Sequence, residues 1–243
     1  MKIVGFGDSF ILGITPNHNE WPHTYQGLVS EKLNADVEFR GQPGTGPWSA
    51  FFDFLEYQKP IDVAIFAWSE PSRLYHPVVK PLNVASVRND IKNYDHPHYD
   101  VIEAADLYYQ CLMDHRKQNY EITALMNLID TLSLDFPNTK FVHLHCFGKD
   151  DPGEWWGDTY ETINQDTLKY HHIFKNGIQI HPPLMYMSMK HEWMGKDKLF
   201  IETRQCHLSL DMHKLLADAI AEGIQNYAPG KIINIDLSPY DKK

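Results

Sequence analysis

Cysteine is scarce in this 243-residue chain: Cys111, Cys146 and Cys206 stand far apart, odd in number and with no C-x-x-C spacing. That excludes a disulfide framework or a zinc ribbon and suits a reducing compartment, so the expected location is cytoplasmic. Basic residues are also few, 22 against 32 acidic, for a net charge of −10. Without a cationic footprint to displace counterions from phosphates, nucleic acid is excluded as a partner. No run of about 18 apolar residues is present, so no membrane span is expected. The apolar start Ile3-Val4-Gly5-Phe6 is too short for the core of a signal peptide. Incorporation into a virus particle would leave no mark of this kind. Repeats and low-complexity stretches are lacking as well.

What is present is ordinary globular material, 43% hydrophobic and 22% charged, enough to bury a substantial core. The length suits one domain over residues 1–243. Short apolar runs alternate with segments of helical period. Strands are expected at Lys2–Phe6, Asp36–Arg40, Pro60–Ala67, Lys140–Phe147 and Ile178–Ile180. Helices are expected at about Thr24–Leu33, Trp48–Tyr57, Tyr99–Leu134 and after Ser209, which can cap the last one. Residues from about Pro77 to His98 lack periodicity and read as a long surface excursion. This alternation predicts a doubly wound, flavodoxin-like α/β/α sandwich of about five parallel strands.

Polar groups gather where these strands end. Gly7-Asp8-Ser9 closes the first strand, which places Ser9 at the carboxyl edge of the sheet, where open α/β sheets bind ligands. A serine there, with a helix starting beside it, is placed to act as a nucleophile and to offer its own amide to an oxyanion. The second strand ends in Gly41-Gln42-Pro43-Gly44-Thr45-Gly46, where backbone can approach a ligand without interference from Cβ atoms. Trp68-Ser69-Glu70 ends the third. A serine nucleophile needs a base, and His207, just ahead of the last helix, is the candidate among 14 histidines.

These blocks, Gly7-Asp8-Ser9-Phe10, Gly44, Ser69-Glu70 and His207-Leu208-Ser209, resemble in order and spacing those of the SGNH, or GDSL-like, hydrolase superfamily. The resemblance implies Ser9 as nucleophile, His207 as base, and the Ser9 and Gly44 amides as oxyanion donors. Two departures stand out. Ser69 occupies the place of the family's asparagine donor, and a hydroxyl is shorter than an amide. Arg204 occupies the place of the orienting aspartate, so either Glu202 or a backbone carbonyl must hold the imidazole, and a Ser-His dyad is preferred. Asp8, Trp68, Arg73 and Trp155 are expected to line the substrate. Arg73 can equally pair with Glu70, and Trp155-Trp156 can equally pack its own loop down. The implied activity is hydrolysis of an acyl ester, for instance O-acetyl, of a small molecule or carbohydrate, without a cofactor or metal. The alternative is a decayed SGNH-fold binding or structural protein, for instance of a virus particle. A metal-dependent reading would rest on His143 and His145, which share a strand face but have no further ligands tied to them by spacing.

Overall fold

The computed structural model describes residues 1–12, 24–146, 174–184, 187 and 208–240. Strands and helices are numbered here along those residues. Six parallel strands form one sheet: β1 (Lys2–Gly7), β2 (Asp36–Gly41), β3 (Val63–Trp68), β4 (Lys140–His145), β5 (Ile178–His181) and β6 (Ile232–Asn234). Their order is β2-β1-β3-β4-β5-β6. The chain therefore winds outward from β1 to β2, returns to the other side of β1, and continues through β3 to β6. The reversal makes the carboxyl ends of β1 and β3 the switch point of the sheet, the usual ligand crevice of this topology.

The alternation of strand side chains sorts the core into two layers. Ile3, Ile65, Val142, Leu144, Ile178 and Ile180 face one way and pack with α2 (Tyr25–Leu33) and the last helix, α7 (Leu210–Gln225). Val4, Phe6, Ala64, Phe66, Trp68 and Phe141 face the other way, toward α3 (Pro47–Leu55) and α6 (His115–Leu132). The second layer is dominated by aromatic rings: Phe66 stacks on Trp68 with centroids 5.3 Å apart, and on Phe6 at 5.3 Å. Central strands buried on both faces need apolar residues throughout, which is why β3 reads Val-Ala-Ile-Phe-Ala-Trp without alternation.

The expected sheet of about five parallel strands is present and gains a short sixth, Ile232–Asn234; three residues at an edge carry too little pattern to be seen. Two expectations need correction. The aperiodic stretch after residue 77 holds a helix, α4 (Val84–Asp90), with an Asn83–Ser86 capping box. Together with α5 (Tyr99–Leu107) it encloses a satellite core around Val79, Leu82, Val87 and Ile102. The long helix expected from Tyr99 to Leu134 is broken: α5 runs into a π-turn at Tyr108–Leu112, and Met113 is extended before α6 begins. Among the described residues no helix is long and apolar enough to cross a membrane.

Candidate active site

Ser9 opens α1 (Ser9–Leu12), a helix of one turn directly beyond β1. Asp8 makes that abrupt change of direction possible. Its Oδ1 accepts the Phe10 amide at 3.0 Å, and its carbonyl accepts the Ile11 amide at 3.1 Å. This side-chain turn consumes the first free N–H groups except that of Ser9. No hydrogen bond among the described residues uses the Ser9 amide, and its side chain is partly exposed. Behind α1, Tyr25 Oη donates to the Phe10 carbonyl at 2.8 Å and Gln26 Nε2 to the Ile11 carbonyl at 3.1 Å. The turn is thereby held from the side opposite the solvent.

The second loop is a β-turn whose sequence matches its shape. Thr45 N–H donates to the Gln42 carbonyl at 3.3 Å, Pro43 occupies the second position, and Gly44 has φ +78°. Proline followed by a residue of positive φ is the signature of a type II turn. A side chain at Gly44 would be strained, and its Cβ would lie 2.7 Å from Asn83 Nδ2. The Gly44 amide, like that of Ser9, enters no hydrogen bond among the described residues. Gly46 then caps α3 with Pro47 in the first turn.

The third loop binds the other two together. Ser69 Oγ donates to the Thr45 carbonyl at 2.9 Å. Arg73 Nη1 donates to Asp8 Oδ2 at 2.6 Å and to the same Thr45 carbonyl at 3.3 Å, while Nε lies 3.5 Å from Glu70 Oε2. Asp8 is fully buried and the Arg73 side chain is 13% exposed. Burial alone would lower the Arg73 pKa, but Asp8 and Glu70 outweigh it and raise it above the ordinary value. Cys146, at the end of β4, belongs to the same neighbourhood. Burial, with the Asp8 carboxylate near, pushes its thiol well above the usual range, so it stays neutral.

Several expected site residues therefore have other occupations. Asp8 is fully buried, and both its carboxylate oxygens are engaged inside the protein. Arg73 directs its charge at Asp8 first and Glu70 second. Ser69 spends its single hydroxyl proton on Thr45. Trp68 is 2% exposed and is a core residue, with Nε1 donating to His143 Nδ1 at 3.2 Å. His143 in turn stacks on Phe174, centroids 3.4 Å apart, and no group of three His, Cys, Asp or Glu among the described residues could hold a metal ion. His207, Glu202 and Trp155 lie outside the described residues. The chain resumes with Leu208, buried in the first core layer, and Ser209, whose Oγ accepts the Met212 amide at 3.4 Å and caps α7 as expected.

Other contributors carry no readable motif. Tyr25, Thr45, Asn83 and His213 act through contacts made across the fold. Asn83 Nδ2 donates to the Gly44 carbonyl at 3.4 Å while its Oδ1 caps α4. A Thr-x-x-Gly start to α2 is the only local hint of Tyr25.

No family model matches the chain, and a search of curated proteins finds no match. Solved structures do match. A protein described as a GDSL-like lipase from Parabacteroides merdae aligns over 92% of this chain and 95% of its own, with a TM-score of 0.50 and 15% identity. The chain has the SGNH hydrolase fold. A protein described as lipolytic and of the G-D-S-L family, from Desulfitobacterium hafniense, aligns over 91% of this chain and 98% of its own, with a TM-score of 0.49 and 12% identity. A family two carbohydrate esterase from Clostridium thermocellum, solved with cellohexaose, aligns over 93% of this chain and 63% of its own, with a TM-score of 0.44 and 16% identity. Within the SGNH fold, the loops after β1, β2 and β3 are those carrying Ser9, Gly44 and Ser69.

Proposed function

We propose that the protein is a serine esterase. The observation that carries this reading is a pair of backbone amides, those of Ser9 and Gly44, at the switch point of the sheet with no hydrogen-bond acceptor among the described residues. Two such donors beside a partly exposed hydroxyl are what a tetrahedral oxyanion requires. The resemblance of the chain's four blocks to those of SGNH hydrolases supports the same reading.

In the first half-reaction Ser9 Oγ attacks the acyl carbonyl while His207 takes the hydroxyl proton. The oxyanion is held by the two amides and collapses, and the alcohol leaves with the proton from His207. In the second half-reaction water attacks the acyl-serine, His207 takes its proton, and that proton returns to Ser9 Oγ as the carboxylic acid departs. A backbone carbonyl or Glu202 orients the imidazole. With Ser69 engaged by Thr45, the oxyanion rests on two amides, and removal of one donor elsewhere costs on the order of 10²–10³ in turnover. A short acyl group such as O-acetyl on a carbohydrate is the proposed substrate class.

A fluorophosphonate probe, read by intact mass, tests the assignment. The wild type is expected to gain one adduct and Ser9→Ala none. Equal labelling of both, or of neither, overturns it. In the second case the engaged Ser69 hydroxyl would favour the other reading, a binding protein that keeps the fold without the reaction.

A further inference from the structure

We infer that Arg73 is a positioning residue which sets the separation of the two oxyanion amides, acting through Asp8 on one side and Thr45 on the other. The inference rests on the esterase reading and extends it to a side chain outside the proposed catalytic pair.

One nitrogen of Arg73 makes both connections. Nη1 donates to Asp8 Oδ2 at 2.6 Å and to the Thr45 carbonyl at 3.3 Å. Asp8 immediately precedes Ser9 in the chain, and Thr45 immediately follows Gly44. Each oxyanion amide therefore lies one residue from a group that Arg73 holds. Asp8 passes the constraint on: with Oδ2 fixed by Arg73, its Oδ1 accepts the Phe10 amide at 3.0 Å and so fixes the tilt of the turn that aims the Ser9 N–H. On the other loop, the Thr45 carbonyl is fixed by two donors, Arg73 and Ser69 Oγ.

The packing leaves Arg73 no freedom to drift. Its side chain is 13% exposed, Glu70 lies against Nε, and a Cβ at Gly46 would collide with the Arg73 carbonyl. Glycine at 46 is thus what permits the second and third loops to meet. The loops themselves come from three different strand ends and, among the described residues, share no backbone pairing there, so a side chain must supply the rigidity. A preorganised donor pair is worth most when it does not move as charge develops, and a shift of about 1 Å in such a site is enough to lose much of the rate.

Because the oxyanion exists only in the transition state, loosening this clamp should lower kcat and leave KM nearly unchanged. Arg73→Met is expected to lose on the order of 10²–10³ in kcat on a small acyl ester such as 4-nitrophenyl acetate, with KM within about twofold. Arg73→Lys, whose single ammonium can reach the same two acceptors, should recover at least tenfold over Arg73→Met. Arg73→Met leaves a buried carboxylate unpaired and can fail to fold, so the companion variant is Asp8→Asn combined with Arg73→Met, which removes both charges. That variant should regain stability without regaining kcat. If its kcat returns with its stability, or if the loss falls on KM, Arg73 is merely structural and the inference fails. Backbone 15N order parameters at Ser9 and Gly44 provide a readout independent of turnover: they should fall at both positions in the double variant relative to the wild type. Unchanged order parameters overturn the inference even if the wild type proves inactive, whereas failure of the wild type to label with fluorophosphonate overturns only the esterase reading.

Discussion

His213 Nδ1 accepts the backbone amide of Tyr25 at 3.1 Å, joining residues 188 positions apart. The two rings also stack, with centroids 5.8 Å apart. His213 lies in the early part of α7, the helix that begins three residues after the proposed base, and Tyr25 Oη holds the Phe10 carbonyl next to the proposed nucleophile. Tyr25 is thus the rivet between the helix that follows His207 and the turn that carries Ser9.

Tyr25→Phe removes the donor to Phe10 while keeping the ring and its stacking. A loss of about 1 kcal/mol in unfolding free energy is expected. His213→Ala takes away the acceptor of a buried amide and should cost more, about 1–3 kcal/mol. Urea denaturation of both variants checks the order; a larger effect for Tyr25→Phe would mean that the amide finds another acceptor.

Gly44→Ala places a side chain where φ is +78° and where its Cβ meets Asn83 Nδ2 at 2.7 Å. The backbone strain alone is about 1–3 kcal/mol. The turn is expected to relax by rotating the Gly44 peptide, which misdirects the proposed donor, so kcat should drop by at least about tenfold. Thermal unfolding and steady-state kinetics on one preparation read both effects, and a stable variant with full kcat would remove Gly44 from the oxyanion site.

Trp68→Phe separates the core reading of this residue from the substrate-lining one. It removes the Nε1–H donor to His143 and some aromatic volume, so stability should fall by about 1–3 kcal/mol. KM for a small acyl ester should stay within about twofold, measured where the variant is folded. A tenfold rise in KM would return Trp68 to the substrate pocket.

Glu38, on β2, is held down to a pKa of about 2 from its usual 4.5, first by its bond to Lys2 and then by Tyr57 and Arg40. A carboxylate depressed by folding stabilises the native state above its unfolded pKa and loses that contribution as pH falls through the folded one. Glu38→Gln should therefore lower stability near neutrality and flatten the acid limb between about pH 4.5 and about pH 2. The side chain is 26% exposed, so the difference is expected to be no more than about 1 kcal/mol. Denaturation midpoints at pH 7 and pH 3 check it, and parallel acid limbs would contradict it.

Local order in the chain was enough for the parallel sheet, for Ser9 at a strand end, for Gly44 in a turn, and for Ser209 as a helix cap. Each of these is imposed by neighbours in sequence: a run of apolar residues, a Pro-Gly pair, a hydroxyl ahead of a helical period. Occupation of the polar side chains was decided only by packing. Asp8, Ser69, Trp68 and Arg73 look alike in sequence as polar or aromatic residues at strand ends, and nothing local distinguishes one that meets solvent from one that meets a partner 65 residues away, as Arg73 meets Asp8. A buried charge must find its opposite wherever the fold brings it, and the strand order that sets β1 between β2 and β3 is what brings Arg73 and Thr45 to Asp8.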